Sequence, residues 1–432
     1  MRAAPIVTNC NSSGAGSLAD AVANAVANDT IAFAQDCTDA GAIMLTGTLT
    51  SAVIVTIDGT GRSVTISGGG TVQLFVVNSG VTLTLRGLTL ANGKSTFGGA
   101  IFNSGGTLAV TNSTFSGNAA PFGGAIYNDS ASTLIVTGNT FSGNAATTNV
   151  GGAINNTSTL TLTLSVVAGN TAGTQGLDLF GPVTVDGGGN VIGNTAGSTG
   201  LTNGTDKLNV PAPLGPLASN GGPTQTLALL PGSPAIDIAP CPAGLTTDGR
   251  GVSRPQPAGG NCDSGSFESQ RFAAAANTGG GQAATVNTAF AAPVTLTLAS
   301  THTESVVGGQ VTFTITTTGG AAATFPAAGS CILTSATIAV CPITGGGVAT
   351  SPAFTANGSL GLLKITATAS GSAATTYSET VTPGPATYFV VSGLPSPVTA
   401  GTAGGASVTA KDASGNTATG YSGTAHLTSS DP

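Results

Sequence analysis

The sequence predicts an all-β protein: a right-handed parallel β-helix with a short N-terminal capping helix, followed by an immunoglobulin-like β-sandwich and a partial second one. Three observations predict this class. Short strands with period-two hydrophobicity recur at a fixed interval in the first half of the 432-residue chain. Charged residues make up 6% of the chain, too few for helical surfaces, which are normally rich in Glu, Lys and Arg. The 66 glycines indicate many tight turns between strands.

Residues 1–43 are predicted to form an N-terminal cap. Leu18, Val22 and Val26 repeat at helical spacing, with Ser17 as the N-cap residue and Asp20 three positions later. This pattern predicts one short amphipathic helix. We expect the helix to cover the open first coil, because an unpaired strand edge would otherwise recruit other chains.

Residues 44–210 are predicted to form the coils of the β-helix. The repeat is 26 residues long, as from Phe115 to Phe141 and from Phe141 to Val167. Superimposed repeats predict three inward columns of apolar side chains: Leu83, Leu108, Leu134 and Leu160; Leu85, Val110, Val136 and Leu162; Leu90, Phe115, Phe141 and Val167. Short strands without intervening helices predict roughly seven or eight coils, stacked at the strand spacing of ~4.8 Å.

A second marker of the repeat is Gly-Gly-Ala-Ile, which begins at Gly98, Gly123 and Gly151. Asparagine follows each copy, and the pattern predicts an asparagine row at one corner of successive coils, formed by Asn78, Asn103, Asn128 and Asn156. Asn suits a turn because it tolerates the left-handed conformation and can bond the Asn of the next coil. We interpret these four residues as structural, and a ligand-binding row is the alternative.

The remaining chain divides by composition into a closing cap segment (211–270), a linker rich in Ala and Gly (271–282), an immunoglobulin-like domain (283–383) and a partial second one (384–432). The last segment is too short to close a sandwich, which usually needs ~90 residues or more. We expect the chain to be a piece of a longer repeat array. The alternative is that a partner supplies the missing strands, through self-association of this module.

The six cysteines fall as three sequence-local pairs, with no metal-binding spacing and no neighbouring histidine. Six cysteines allow 15 pairings. The local pairing predicts three structural disulfides and an oxidising compartment, joining Cys10 with Cys37, Cys241 with Cys262, and Cys331 with Cys341. The N-terminus lacks the apolar core of a secretion signal, so we expect any signal to have been removed or to lie outside this sequence.

The region from 6 to 268 resembles a group of secreted bacterial β-helix proteins related to polymorphic outer-membrane and autotransporter passenger repeats. Residues 6–9, 14–18 and 30–33 match the N-terminal segment of that group, and residues 56–59 with the Gly-Gly-Ala-Ile copies match its coils. Residues 221–237, 247–251 and 262–268 are similar to the closing segment called the choice-of-anchor Q domain, although Leu227 stands where members often have histidine. The resemblance implies an exported or surface protein and implies no particular activity.

The segments 283–290, 347–350 and 354–358 are similar to bacterial immunoglobulin-like modules of the invasin type. That likeness implies a spacer or an adhesin stalk.

Composition and charge exclude several kinds of function. The net charge of −7, with ten scattered basic residues, predicts no nucleic-acid partner, and no apolar run is long enough for a transmembrane segment. No cofactor, metal or catalytic motif is predicted. The two histidines, His302 and His426, lie outside the predicted coils, which excludes Ser-His-Asp or Cys-His chemistry within them.

The acidic residues of the coils are not predicted to form the site of a β-helix polysaccharide lyase or hydrolase. Such an enzyme needs converging carboxylates, or carboxylates with a basic residue. The candidate carboxylates fall at different phases of the repeat, and they are Asp58, Asp129, Asp178 and Asp186. The basic residues Arg86 and Lys94 lack acidic neighbours in the sequence.

The closing segment is densely charged, and we predict that its charged residues form an ion-pair network. A calcium or ligand site is the alternative. The residues concerned are Asp237, Asp248, Arg250, Arg254, Asp263, Glu268 and Arg271.

Outward positions of the coils are rich in threonine, including the column Thr82, Thr107, Thr133 and Thr159. Such arrays occur in some ice-binding proteins, but Ala109 and Ile135 interrupt the adjoining column, and Thr simply suits exposed strand positions.

The sequence therefore predicts a secreted or bacterial cell-surface protein that is non-enzymatic and adhesin-like. Its β-helix rod would present a neutral surface, rich in Thr and Asn, to carbohydrate or to a protein of a host or neighbouring cell. The alternatives are the β-helix polysaccharide lyase or glycoside hydrolase, and a self-assembling extracellular structural protein.

Overall fold

The computed structural model describes residues 3–37, 42–397, 399 and 401–428. Its chain forms two compact units, the first from Met1–Ala273 with Ser300–Gly309 and Ser370–Ser372, and the second from the remainder. Residues 1 and 432, the predicted outer ends of the first and last segments, lie outside the described residues. The inner segment boundaries stay predictions.

The first unit is a parallel β-helix of about seven turns, with three long sheets running along it. The first sheet contains the strands Ile6–Val7, Asp29–Phe33, Val55–Asp58, Thr82–Arg86, Thr107–Thr111, Thr133–Thr137, Thr159–Thr163 and Val185–Gly188. The second contains Ile43–Met44, Thr65–Ser67, Thr89–Ala91, Thr114–Ser116, Thr140–Ser142, Val166–Val167, Val191–Ile192 and Lys207–Leu208. The third contains Leu49–Thr50, Phe75–Asn78, Ile101–Ser104, Ile126–Asn128, Ile154–Asn156, Leu179–Pro182 and Ser198–Thr199. A minor sheet joins Ala119–Ala120, Ala145–Ala146 and Thr171–Ala172.

The three predicted inward columns are confirmed. Leu83, Leu108, Leu134 and Leu160 are paired in register along the first sheet, and each is at most 3% exposed. The other two columns are likewise in register and buried in the same core. The alternation of apolar and polar residues fixes this register, because a slip of one residue would turn every apolar side chain outward.

The predicted helix is present but shorter than expected. It spans Leu18–Ala23, and the Oγ of Ser17 accepts a hydrogen bond from the backbone N–H of Asp20. Leu18 and Val22 join the core of the coils, as predicted. Val26 was wrongly included, since the helix ends at Ala23 and the Val26 side chain is 48% exposed.

The closing segment begins with an antiparallel pair, Leu214–Ala218 with Thr226–Leu229. Ala228, Leu229 and Phe267 are buried in one cluster with Val166 and Val191 of the second sheet. The segment is therefore packed against the late coils by apolar contacts, and its remaining backbone is irregular.

The second unit consists mostly of antiparallel strands. A six-stranded sheet runs in the order Ala283–Thr285, Thr375–Thr382, Gly361–Thr368, Gln310–Thr317, Ile338–Pro342 and Ile332–Ser335, and a three-stranded sheet contains Ala273–Thr278, Thr295–Ala299 and Val348–Thr350. Smaller elements are the pair Ala323–Thr324 and Thr355–Ala356, the 3₁₀ turn Gly345–Gly347 and the hairpin of Tyr388–Ser392 with Ser407–Lys411. Leu296 of the three-stranded sheet and Phe313 of the six-stranded sheet are buried in one core, the arrangement of a sandwich.

All three predicted disulfides are present, Cys10–Cys37 and Cys241–Cys262 in the first unit and Cys331–Cys341 in the second. Among the described residues no cysteine is free. The C-terminal hairpin carries exposed apolar side chains, with Tyr388 46% and Val391 44% exposed.

Candidate functional site

The Gly-Gly-Ala-Ile marker makes a tight corner that brings two side-chain positions together. Gly98 and Gly123 have positive φ, and a Cβ atom on either would collide with the carbonyl oxygen of the Ile three residues later. The second glycine lies against backbone of the next coil, where a side chain would also collide. Only glycine fits both places, so the residue before each marker is held beside the residue after it.

Aromatic residues occupy these positions in two successive coils. Phe97 and Phe122 precede the markers and are bridged in parallel, and Phe102 and Tyr127 follow them as register partners in the third sheet. Ring centroids lie 5.5 Å apart for Phe97 and Phe122, 5.6 Å for Phe102 and Tyr127, and 5.2 Å for Phe97 and Tyr127. We call these four residues the aromatic cluster.

The aromatic cluster is on the outside of the β-helix. Phe97 is 38% exposed and the other three rings are partly exposed. Aromatic residues make up only 4% of the chain, so four contiguous outward rings are not explained by composition. Exposed contiguous apolar surface of this kind typically marks a binding site.

The aromatic cluster has one polar edge. Thr157 and Asp129 lie beside the hydroxyl group of Tyr127 and influence its pKa. Burial, and secondarily the Asp129 carboxylate, raise the pKa of Tyr127, so the phenol stays neutral and able to donate. The edge thus combines a hydroxyl and a carboxylate, both suited to contacts with hydroxyl groups of a ligand.

The sequence analysis missed the aromatic cluster, although the signal was present. The segments Phe97-Gly-Gly-Ala-Ile-Phe102 and Phe122-Gly-Gly-Ala-Ile-Tyr127 place an aromatic residue on each side of the marker. Because Ile101 and Ile126 point inward, alternation requires the next residue to point outward.

Asn103, Asn128 and Asn156, predicted as a row, are in register and buried. The Nδ2 of Asn103 donates to Oδ1 of Asn128 at 2.7 Å, and Asn128 donates to Asn156 at 2.7 Å. Asn78 was wrongly placed in this row. Its strand pairs Val77 with Asn103, so the exposed Asn78 lies one position further along, beside Ser104. Val77 is inward and apolar, which sets that register.

Two further buried files of polar side chains follow other corners, and each ends on an aspartate. Asn118 donates to Asn144, Asn144 to Asn170, and Asn170 to Asp178, each at 2.9 Å. In the second file, the backbone N–H of each residue donates a hydrogen bond to the side-chain oxygen of the next residue. The residues, in order, are Ser113, Asn139, Ser165, Asn190 and Asp206. These bonds satisfy turn backbone that no strand pairs.

Asp206 forms a carboxyl pair with Asp186. Burial, opposed by the N–H of Asn190 and reinforced by Asp186, raises the pKa of Asp206 to about 6. Asp186 Oδ2 accepts the N–H groups of Thr202 and Asn203, which fixes its position. The raised pKa of Asp206 favours its protonated form at acidic pH, and the hydrogen bonds that the two aspartates accept join the last turns of the coils.

We expect the first unit to lose stability as pH rises from about 4 to above 6, because the raised pKa of Asp206 in the folded state favours its protonated form. Below its unfolded pKa this contribution is complete, and it is lost as pH passes through about 6. Asp206→Asn keeps the acceptor for Asn190 and removes the charge. After allowance for solvent screening it should stabilise the unit by about 1 kcal/mol at pH 7. Chemical denaturation across this pH range is the measurement, and identical pH slopes for both proteins would contradict the prediction.

The carboxylates considered for catalysis lie on different parts of the first unit. Asp58 is outward on the first sheet, Asp129 borders the aromatic cluster, and Asp178 is buried at the end of a file. Arg86 does have an acidic neighbour that the linear sequence did not reveal, since Asp58 is its register partner. Lys94 bridges to Ala119 through backbone.

The closing segment contains a buried ion-pair network, as its charges predicted. Arg250 Nε lies 2.8 Å from Asp248 Oδ2, and Arg254 lies 2.7 Å from Glu268 Oε2, with these side chains at most 1% exposed. The Arg250 guanidinium also lies 3.5 Å from the centre of the Phe267 ring. A second class of pair, Arg271 with Asp237, is about one-third exposed.

The outward face of the first sheet carries threonine, as predicted. Its columns are Thr82, Thr107, Thr133 and Thr159; Thr84, Ala109, Ile135 and Thr161; and Arg86, Thr111, Thr137 and Thr163. Arg86 is the one charged residue among these twelve, and its register partner Asp58 carries the opposite charge, so this face is nearly neutral.

Within the described residues no helix is both long and apolar enough to cross a membrane, and no three His, Cys, Asp or Glu side chains are grouped as metal ligands. No family model, curated protein or solved structure matches the chain at a significant level.

Proposed function

We propose that this protein is a non-enzymatic, secreted or cell-surface, adhesin-like protein whose β-helix binds neutral carbohydrate. The observation that carries the proposal is the outward aromatic cluster, in which Phe97 is 38% exposed. Folding normally covers such rings. Their contiguous exposure therefore supports the binding of a ligand at this surface.

Aromatic rings suit sugars for an electrostatic reason. The face of a ring carries partial negative charge, and the C–H bonds on the apolar face of a pyranose carry partial positive charge. The hydroxyl of Tyr127 and the carboxylate of Asp129 would bond the sugar hydroxyls at the polar edge of the aromatic cluster.

Charge favours a neutral rather than an acidic sugar. The chain carries a net charge of −7, and Asp129 borders the aromatic cluster itself. An acidic polysaccharide would meet repulsion at this surface without a compensating basic patch.

The extracellular assignment draws support from three disulfides, which persist in oxidising compartments. The resemblance to exported β-helix proteins with choice-of-anchor and invasin-type segments points the same way. In this proposal the second unit serves as a spacer.

The test is a glycan array with the full chain, repeated with Phe97→Ala. We expect binding to at least one class of neutral glycan and at least a tenfold weaker affinity for the variant, since each lost factor of ten is about 1.4 kcal/mol. Ile135→Ala is the matched control, because Ile135 is an exposed apolar residue, 37% exposed, on the first sheet. A parallel assay for reducing-sugar release should give no product, and product release would refute the non-enzymatic proposal.

A further inference from the structure

Two residues of the aromatic cluster, Phe102 and Tyr127, belong to a longer outward column on the third sheet. Val76 pairs with Phe102, Phe102 with Tyr127, Tyr127 with Asn155, and Asn155 with Phe180. Neighbouring strands are ~4.8 Å apart, so this column of five register partners extends roughly 19 Å along the β-helix axis. We call it the axial strip.

Asn155 is an unusual residue in the axial strip. It is 2% exposed, and its Oδ1 has no hydrogen-bond partner. The neighbouring Asn156 serves the turn, so the corner does not require Asn155. An unsatisfied buried acceptor costs about 1–3 kcal/mol, and a hydroxyl donor of a ligand would satisfy it on displacing the atoms that cover Asn155.

Phe180 forms the far end of the axial strip. Gly176 and Gly197 both have positive φ, and a Cβ on either would collide with the Phe180 side chain. Two glycines therefore make room for this ring, which remains partly exposed on the outside of the coil. The ring lies two register positions beyond Tyr127, with Asn155 between them.

The axial strip thus has aromatic rings on both sides of the hydrogen-bonding residue Asn155, with Val76 at the end beyond Phe102, and no charged residue in the column. From this arrangement, and resting on the proposed function, we propose that the axial strip binds an extended, neutral polysaccharide chain lying parallel to the β-helix axis. Sugar rings would stack on the aromatic cluster and on Phe180, and a hydroxyl between them would donate to Asn155.

This geometry differs from a site for one terminal sugar. A terminal sugar would use the aromatic cluster alone, and its affinity would not change with chain length. A chain along the axial strip gains contacts with each added sugar until it reaches Phe180.

The probes are cello-oligosaccharides and chito-oligosaccharides, each from the disaccharide to the hexasaccharide, titrated calorimetrically into the full chain. In the series that binds, we expect affinity to rise at least tenfold with length and then to level off. Phe180→Leu keeps apolar bulk and removes the aromatic face. It should weaken the longest oligomer at least fivefold and leave the disaccharide unchanged, whereas Phe97→Ala should weaken every length.

Asn155→Ala should weaken the long oligomers as Phe180→Leu does, and Ile135→Ala should change nothing. Circular dichroism and the denaturation midpoint establish that each variant folds. Three results would overturn the proposal that a polysaccharide chain binds along the axial strip. They are an affinity independent of oligomer length, an equal loss of affinity at all lengths for Phe180→Leu, and no binding by either series. Binding of other glycans on the array, lost in Phe97→Ala, would then still support the proposed function alone.

Discussion

Arg254→Met should destabilise the first unit by about 3–5 kcal/mol, the usual effect of removing one partner from a buried ion pair. The guanidinium lies 2.7 Å from Glu268 Oε2 and donates to the carbonyl oxygens of Asp263 and Gly265. Burial raises the pKa of both Glu268 and Asp263, and for Glu268 the Arg254 charge opposes that shift. Without Arg254 those carboxyls lose their counterion and two carbonyls lose a donor.

Hydrogen exchange of amides in the closing segment measures this loss. The matched control is Arg271→Met, since the pair of Arg271 with Asp237 is about one-third exposed and should contribute less than about 1 kcal/mol. The double variant Arg254→Met with Glu268→Met should be more stable than Arg254→Met alone, because the Glu268 carboxylate is then no longer left unpaired. Equal losses of stability in Arg254→Met and Arg271→Met would contradict the prediction that the buried ion-pair network stabilises the closing segment.

Phe141→Ala should destabilise the first unit by about 3–5 kcal/mol. The ring is fully buried and stacks on Phe115, with centroids 4.4 Å apart and planes inclined by 11°. A cavity there would be bounded by coils above and below, whose register prevents collapse into it.

Chemical denaturation with hydrogen exchange in the coils measures the loss. Phe102→Ala removes the same side chain from the outside of the preceding coil. It should cost far less stability while weakening glycan binding, and Phe141→Ala should do the reverse at temperatures where it stays folded. A larger loss of stability for Phe102→Ala would show that the outward ring is part of the structural core.

The sequence was sufficient for the parts of the fold that period-two alternation controls. Leu83, Leu108, Leu134 and Leu160 could be placed in one column, because a short strand with one buried face permits one register. The local pairing of the cysteines was a hypothesis among 15 possible pairings, and the three disulfides of the structure agree with it. The predictions were wrong where the regular pattern ends. Val26 lies beyond the last turn of the helix, and Asn78 lies one position past the inward Val77.

The aromatic cluster and the pair of Asp186 with Asp206 needed coordinates for a different reason. Phe97 and Tyr127 are brought together by a corner whose tightness depends on two glycines and on backbone from the next coil. Asp186 and Asp206 lie on different turns, and the raised pKa of Asp206 depends on burial that composition does not reveal. The chemistry of the aromatic cluster and of the two aspartates therefore depends on contacts between coils. A sequence pattern predicts which residues take part in such contacts, but not the contacts themselves.

The buried amides of Asn103, Asn128 and Asn156 also bear on how such a molecule changes length. Each Nδ2 donates in the same direction, so the file has a polarity: Asn103 Oδ1 is left without a donor at one end, and Pro182 supplies the accepting carbonyl at the other. Duplication of one whole coil would add a donor and an acceptor together and leave both ends as they are. Gene duplications in units of one coil can therefore elongate this protein without creating a new defect in its interior.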